Sequence, residues 1–282
     1  MELENKVAIV TGSSRGLGKI WAIALAQAGA SVLVAARTEK DAGETAVVHL
    51  PGEHFAGRGN RVFTGELPGT IYETAAEIEA MGGKALPVRC DVVSEDEIKS
   101  MVDTTLEHFG RIDIVVNNAG IFPRFNLLEI TPEIFDRVFH VNLRGQYLVC
   151  KHVLPHMIER GSGSIINITT GGGNPALQKL KAAESMLCYT VTKAGVTRLT
   201  TYIAQEVAQY GIAVNAVAPG LVQSPGGEEI MPEDYRFEGG EIDWKPATLE
   251  VLGPYMVWLA QQSAATFTGQ VVQGEEFGQT WP

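Results

Sequence analysis

Short unbroken apolar runs alternate along this chain with longer stretches whose apolar residues recur every three or four positions. The first pattern marks a strand buried on both faces, the second a helix with one buried face. Lys6–Thr11 reads as the first strand, and a helix is expected over about Leu17–Ala28, ended by Gly29. Further strands are expected at Ser31–Ala36, Lys84–Cys90, Ile112–Asn117, Ser164–Thr169, Ile212–Val217 and Gly269–Gln273. Helical spacing begins at Ile71 and stops at Gly82-Gly83. It returns at Glu95–Phe109, about Pro132–Glu159 and Cys188–Gln209, and once more before the final strand. Residues 41–70 break this rhythm. They are rich in Gly, Pro, His and charge without a period, and read as an insertion after the second strand.

Strand and helix in strict alternation predict an α/β fold: a doubly wound parallel sheet with right-handed crossovers and helices on both faces. Residues 1–282 are expected to form one domain of this kind. In such sheets ligands bind beyond the carboxyl ends of the strands, so chemistry is sought where strands stop.

Composition narrows the partners. The formal net charge of −11 argues against nucleic acid, which draws on clustered Lys and Arg. No apolar run approaches the roughly 20 residues that span a bilayer, so no membrane partner is expected. The first residues, Met-Glu-Leu-Glu-Asn-Lys, lack the apolar core of a signal peptide, which points to the cytoplasm. Cys90, Cys150 and Cys188 read as reduced packing residues. His152 and His156 stand four apart, but Pro155 lies between them and no completing ligand is evident, so no metal is expected.

The first strand ends in Thr11-Gly12-Ser13-Ser14-Arg15-Gly16-Leu17-Gly18. Gly12 suits a tight turn, and Gly16 and Gly18 allow a phosphate backbone and the helix to approach closely. The helix N-terminus then offers free N–H groups to a pyrophosphate. Cofactor contacts are expected at Gly12, Ser14, Arg15, Gly16, Leu17 and Gly18. Farther along, Tyr189 and Lys193 stand four apart on a helix and share a face. A neighbouring ammonium favours the phenolate and lowers a tyrosine's pKa, which suits it to exchange a proton with a carbonyl or alcohol oxygen.

The spacing TGxxxGxG resembles the short-chain dehydrogenase/reductase family in its single-domain form. Asn117-Asn118-Ala119-Gly120 is similar to that family's Asn-Asn-Ala-Gly motif and Asp91-Val92 to its adenine-contacting pair. Tyr189-Thr190-Val191-Thr192-Lys193 resembles its YxxxK motif, and Pro219-Gly220 its nicotinamide-side turn. The resemblance implies hydride transfer between a nicotinamide cofactor and a ketone, aldehyde or alcohol. Tyr189 would be the proton donor and acceptor, and Lys193 would bond the nicotinamide ribose. Cofactor contacts are implied at Asp91, Val92, Asn118, Ala119, Gly120, Pro219, Gly220, Val222 and Ser224, besides Tyr189 and Lys193. Thr170 falls where the family has a catalytic serine. It keeps the hydroxyl and adds a methyl, while Ser185 is a poorer substitute. Asn142 falls at the asparagine that holds a water in a proton relay to the lysine. The two long helices around Asn142 and Tyr189 would pair between subunits, giving a homodimer or homotetramer.

Cofactor choice is read at the end of the second strand. An acidic residue there would repel a 2′-phosphate, whereas this chain has Ala36 followed by Arg37. With Arg15 nearby this favours NADP(H) and leaves NAD(H) open. Residues 221–247 combine Gly and acid with Tyr235, Phe237 and Trp244, and are expected to form a lid over the substrate. The insertion, with Arg58 and Arg61, reads as a tolerated surface excursion; a cover for the adenosine end or an oligomer contact are its alternatives. Two other functions fit the same motifs: a lyase or epimerase that retains its cofactor, and a non-catalytic NADP(H)-binding protein.

Overall fold

The computed structural model describes residues 1–39, 68–123, 125, 127–171, 186–220, 222–223 and 245–282. Its centre is a seven-stranded sheet. The strands are β1 (Val7–Thr11), β2 (Ser31–Ala36), β3 (Lys84–Arg89), β4 (Ile114–Asn117), β5 (Gly163–Ile168), β6 (Ile212–Ala218) and, past the short β7 (Val222–Gln223) and β8 (Lys245–Pro246), β9 (Val271–Gln273). They lie in the order β3-β2-β1-β4-β5-β6-β9, and every pairing is parallel. β7 and β8 pair apart from the sheet. The order reverses direction on either side of β1, so the loops after β1 and β4 diverge and leave a crevice between them.

Alternation along each strand builds two cores. Ala8, Val10, Val32, Val34, Ile114 and Val116 face α1 (Gly16–Gln27), α2 (Ile71–Ala80) and a C-terminal helix, through Trp21, Ile71, Ile78 and Leu252. Ile9, Leu33, Val115, Ile165 and Val214 face the other way. They meet α3 (Glu95–Phe109), α5 (Gly145–Arg160) and α6 (Leu187–Val207) through Met101, Val153 and Ile203. Both faces of β1, β2, β4, β5 and β6 are buried, which is why these strands read as unbroken apolar runs, while β3 at the sheet's edge is half exposed. The C-terminal helix is α7 (Leu249–Ala260).

Two expectations need correction. The single helix foreseen over Pro132–Glu159 is α4 (Pro132–Phe139), a π-turn over His140–Arg144, and then α5. The π-turn falls on Asn142, and such widenings mark places where a helix is bent to serve a site. Pro155 lies inside α5 and does not end it, and His152 meets Glu95 Oε1 at 3.0 Å. The insertion ends sooner than expected: Thr70 is the N-cap of α2, accepting the Glu73 N–H at 3.0 Å in a capping box. Residues 41–67 lie outside the described residues.

A buried polar seam runs under the sheet's carboxyl edge. Asn117 Nδ2 donates to Asn167 Oδ1 at 2.9 Å and to Cys150 Sγ at 3.4 Å, and Asn167 Nδ2 donates to Thr200 Oγ1 at 2.9 Å. All three cysteines are free and buried, and burial pushes the Cys90 and Cys150 thiols up to about 12. Gln146 sits one helical turn before Cys150. It is buried, and neither end of its amide finds a partner among the described residues. An unpaired buried amide costs about 1–3 kcal/mol, and an apolar chain of similar length removes that cost. Gln146→Met is therefore expected to raise the melting temperature by roughly 2 °C, read in a thermal scan. A fall of that size would mean the amide is satisfied.

Candidate active site

The glycines after β1 are placed by sterics. Gly12 and Gly16 have φ of +68° and +54°, where a side chain would be strained. A Cβ on Gly18 would run into the Gly12 carbonyl and the Asn118 amide, whereas one on Gly16 would meet nothing within 4 Å. Gly18 is thus a packing glycine and Gly16 borders open space. Arg15, the residue before α1, has extended backbone and makes no side-chain cap, so it does not consume the first N–H groups of the helix.

Two hydroxyls that the sequence reading passed over hold this turn. Thr11 Oγ1 donates to the Val116 carbonyl and accepts the N–H groups of Asn118 and Ala119, both at 3.1 Å. Ser13 Oγ donates to the Val10 carbonyl at 2.7 Å and accepts the Ala35 N–H at 3.0 Å. The Asn118 amide turns inward, donating to the carbonyls of Thr11 at 2.8 Å and Gly12 at 3.0 Å. It ties the loop after β4 to the loop after β1 and leaves cofactor contact there to the backbone.

At the end of β2, Arg15 Nη2 donates to Thr38 Oγ1 at 2.8 Å and to the Gly69 carbonyl at 3.2 Å. Its Nη1 is buried without a partner among the described residues. Burial and the charge of Arg37 both lower the Arg15 pKa, with Glu73 opposing them. Two guanidinium groups and a threonine hydroxyl therefore converge beside Ala36. On the neighbouring strand end, Asp91 Oδ1 accepts the Val93 N–H at 3.1 Å and Oδ2 lies 3.6 Å from Arg137, while Val92 packs on Gly145.

Tyr189 and Lys193 lie on the first turns of α6, one above the other. The Lys193 ammonium is almost fully buried, donates to the Ile168 carbonyl at 2.6 Å, and lies 5.7 Å from the centre of the Tyr189 ring. Burial pushes the Tyr189 phenol up to about 12 and the lysine down to about 8. This reverses the expected sign for the tyrosine. At that separation the ammonium does not offset the loss of water around the phenol. Asn142 and Lys193 also converge on Gly120, where a Cβ would lie 3.3 Å from Asn142 Oδ1 and 3.8 Å from Lys193 Nζ.

The Asn142 amide is wholly engaged. Its Oδ1 accepts the Ile121 N–H at 2.8 Å, and its Nδ2 donates to the Ile121 carbonyl at 2.9 Å and to Thr192 Oγ1 at 3.3 Å. The two threonines after β5 diverge. Thr169 is buried, donating to the Lys193 carbonyl at 3.0 Å and pairing with Thr197 at 2.9 Å. Thr170, the next residue, is half-buried. Gly220 follows Pro219 at φ +84°, and Val222 is buried in β7. Ser224, Ser185 and most of the expected lid, with Tyr235, Phe237 and Trp244, lie outside the described residues.

A family model described as short chain dehydrogenase matches residues 6–55, and one described as enoyl-(acyl carrier protein) reductase matches residues 51–274. The chain belongs to the short-chain dehydrogenase/reductase family. It is 32% identical to a 3-oxoacyl-[acyl-carrier-protein] reductase of Thermotoga maritima, over 96% of this chain and 97% of that one. An L-fucose dehydrogenase of Oryctolagus cuniculus is 34% identical over 80% of this chain and 66% of its own. Among solved structures, a short-chain type dehydrogenase/reductase from Mycobacterium marinum superposes with a TM-score of 0.75 at 30% identity, covering 99% of this chain and 97% of the other. A metagenomic short-chain oxidoreductase in complex with NADP does so with a TM-score of 0.70 at 27% identity, covering 97% and 98%.

Short-chain dehydrogenase/reductases bind a nicotinamide dinucleotide, and the residues present fit one. Gly16 fronts open space at a helix N-terminus, and the orphaned Arg15 Nη1 wants an acceptor. One feature of this short-chain dehydrogenase/reductase had no signal in the motifs: the Phe122 ring lies 4.4 Å from that of Tyr189, centre to centre. Its position two residues beyond Gly120 was the only clue.

Proposed function

We propose that this protein is an NADP(H)-dependent oxidoreductase that interconverts a ketone or aldehyde and an alcohol. The observation that carries the reading is the buried Lys193 ammonium, anchored on Ile168 beside Tyr189 where β4 and β5 end. A buried charge is costly, and one held beside a tyrosine at a ligand crevice is well explained by chemistry. When bound, the nicotinamide supplies or accepts the hydride. Tyr189 gives its proton to the carbonyl oxygen in reduction and takes it back in oxidation. Thr170 holds that oxygen with its hydroxyl, Lys193 fixes the tyrosine and the ribose, and Asn142, its amide taken up by Ile121 and Thr192, would complete the proton path through its backbone carbonyl.

The turn Gly12–Gly18, the pair Asp91-Val92, the backbone of Asn118–Gly120 and the segment Pro219–Ser224 would cradle the dinucleotide. A phenol pushed up to about 12 is fully protonated at neutral pH. Carbonyl reduction, which needs the acid form, should stay level through neutrality, while alcohol oxidation, which needs the phenolate, should climb as pH rises.

Arg15, Arg37 and Thr38 support NADP(H), since no acidic side chain ends β2, Arg37 follows it there, and Arg15 reaches across from the turn after β1 to Thr38. Arg37→Ala is expected to weaken NADPH binding about 10- to 100-fold with little effect on NADH, the span of one charge-assisted hydrogen bond. Fluorescence titration with both cofactors checks this; equal losses would assign Arg37 no part in recognising the phosphate. The half-exposed Tyr147 on α5 and Val191 and Tyr202 on α6 support pairing of these helices between subunits. The same reading takes residues 1–282 as one domain with a lid over 221–247, working in the cytoplasm.

The deciding experiment follows absorbance of NADPH and NADH in parallel against ketones, aldehydes, 3-oxoacyl thioesters and sugars. NADPH-dependent turnover establishes the reading. Preference for NADH would overturn the cofactor assignment. Tight cofactor binding without net turnover would move the weight to an internal-redox lyase or epimerase, or to a binding protein.

A further inference from the structure

Phe122 is held against Tyr189 by the loop on both of its sides. Upstream, Asn142 grips both the N–H and the carbonyl of Ile121. Downstream, Phe125 is buried and pairs in a parallel bridge with Met186, the residue before α6. Pro123, buried between them, fixes its own φ and narrows the conformations open to Phe122. The Phe122 ring therefore rests on the Tyr189 ring at 4.4 Å with 57° between their planes, and it is half-buried, so part of its apolar surface faces outward.

This placement constrains what approaches the phenol. A substrate whose oxygen reaches the Tyr189 hydroxyl carries two substituents on the adjoining carbon. Phe122 covers one side of the tyrosine ring, so a substituent directed to that side would lie against it. An alkyl or aryl group gains apolar contact there, whereas a hydroxyl loses water and meets a ring that returns no hydrogen bond.

We propose that Phe122 is a specificity-determining residue that seats an apolar alkyl or aryl substituent of the reacting carbon and selects against polyhydroxylated, sugar-like substrates. The inference rests on Tyr189 being the proton-transferring group of the reading above. The side chain is preorganised by Asn142 and Met186 and needs no closing motion to reach its place.

The test compares kcat/KM for two ketones, 2-octanone and dihydroxyacetone, in the wild type, Phe122→Ser and Phe122→Leu. NADPH affinity is measured by fluorescence in all three to show that each has folded. The wild type is expected to favour 2-octanone, and Phe122→Ser to shrink that preference about 10- to 100-fold, the usual span for loss of an apolar contact in a pocket. Phe122→Leu should keep most of it. A wild-type preference for dihydroxyacetone, or an unchanged ratio in Phe122→Ser with both rates lowered equally, would overturn the proposal. Absence of wild-type turnover on both these ketones and the wider panel, with NADPH bound, would overturn the reductase reading itself and the proposal with it.

Discussion

Tyr189→Phe should abolish most of the carbonyl reduction, lowering kcat by about 10²- to 10⁴-fold, while NADPH affinity changes by less than about threefold. The substitution removes one hydroxyl and keeps the ring. That ring stays packed against Phe122 and at its distance from the Lys193 ammonium, so the helix start and the crevice are preserved. What disappears is the proton. Without it the carbonyl oxygen must draw on the hydroxyl of Thr170 or on water, and an aliphatic hydroxyl is a weaker acid than a phenol. Steady-state rates with saturating NADPH and a binding titration together separate chemistry from recognition. Residual turnover above about a tenth of wild type, too large for loss of a positioned acid, would show that the proton comes from another group, with Thr170 the next to substitute.

The fold was legible because its rule is local. Strands buried on both faces cannot hide as anything but apolar runs, and the two cores take alternate residues of the same strands, Ala8 and Val10 one way and Ile9 the other. The strand ends of β1, β4 and β5 then located the crevice, since ligands in such sheets sit where the strand order reverses. Motif spacing reached the residues whose type is dictated by chemistry or sterics: Gly12, Gly18, Tyr189, Lys193. It missed what depends on three-dimensional neighbours. Thr11 and Ser13 look like ordinary strand-end hydroxyls until their partners on β4 and β2 are known. The π-turn at Asn142 leaves no mark in a pattern of period 3.6, because a single widened turn only shifts its phase. The tyrosine's pKa was misjudged for the same reason. Spacing shows that a lysine is near, but not how much water both groups have lost.

That loss of water sets up the second large effect. Lys193→Met is expected to stabilise the protein without cofactor at neutral pH while removing nearly all activity. The lysine's pKa falls from 10.5 to about 8 on burial, so at pH 7 the chain holds a charge that would sit more comfortably in water. Each unit of such a shift corresponds to about 1.4 kcal/mol, which puts the net destabilisation, with the hydrogen bond to the Ile168 carbonyl in place, on the order of 3 kcal/mol. The sign follows from proton counting. Below pH 8 both folded and unfolded chains carry the charge, and the folded one bears its full cost. Between 8 and 10.5 the unfolded chain binds more protons than the folded one, so wild-type stability gains with pH. Above 10.5 both are neutral and the cost is gone. Methionine never carries it. Urea titrations should therefore show the variant ahead by roughly 1–3 kcal/mol at pH 7, with the gap closing as pH rises through that window. Equal stability of the two proteins at pH 7 would mean that the ammonium is fully solvated by its surroundings, and that its burial is not a cost borne for catalysis. A stabilised, inactive variant would place Lys193 among the strained groups that an enzyme keeps because its reaction needs them.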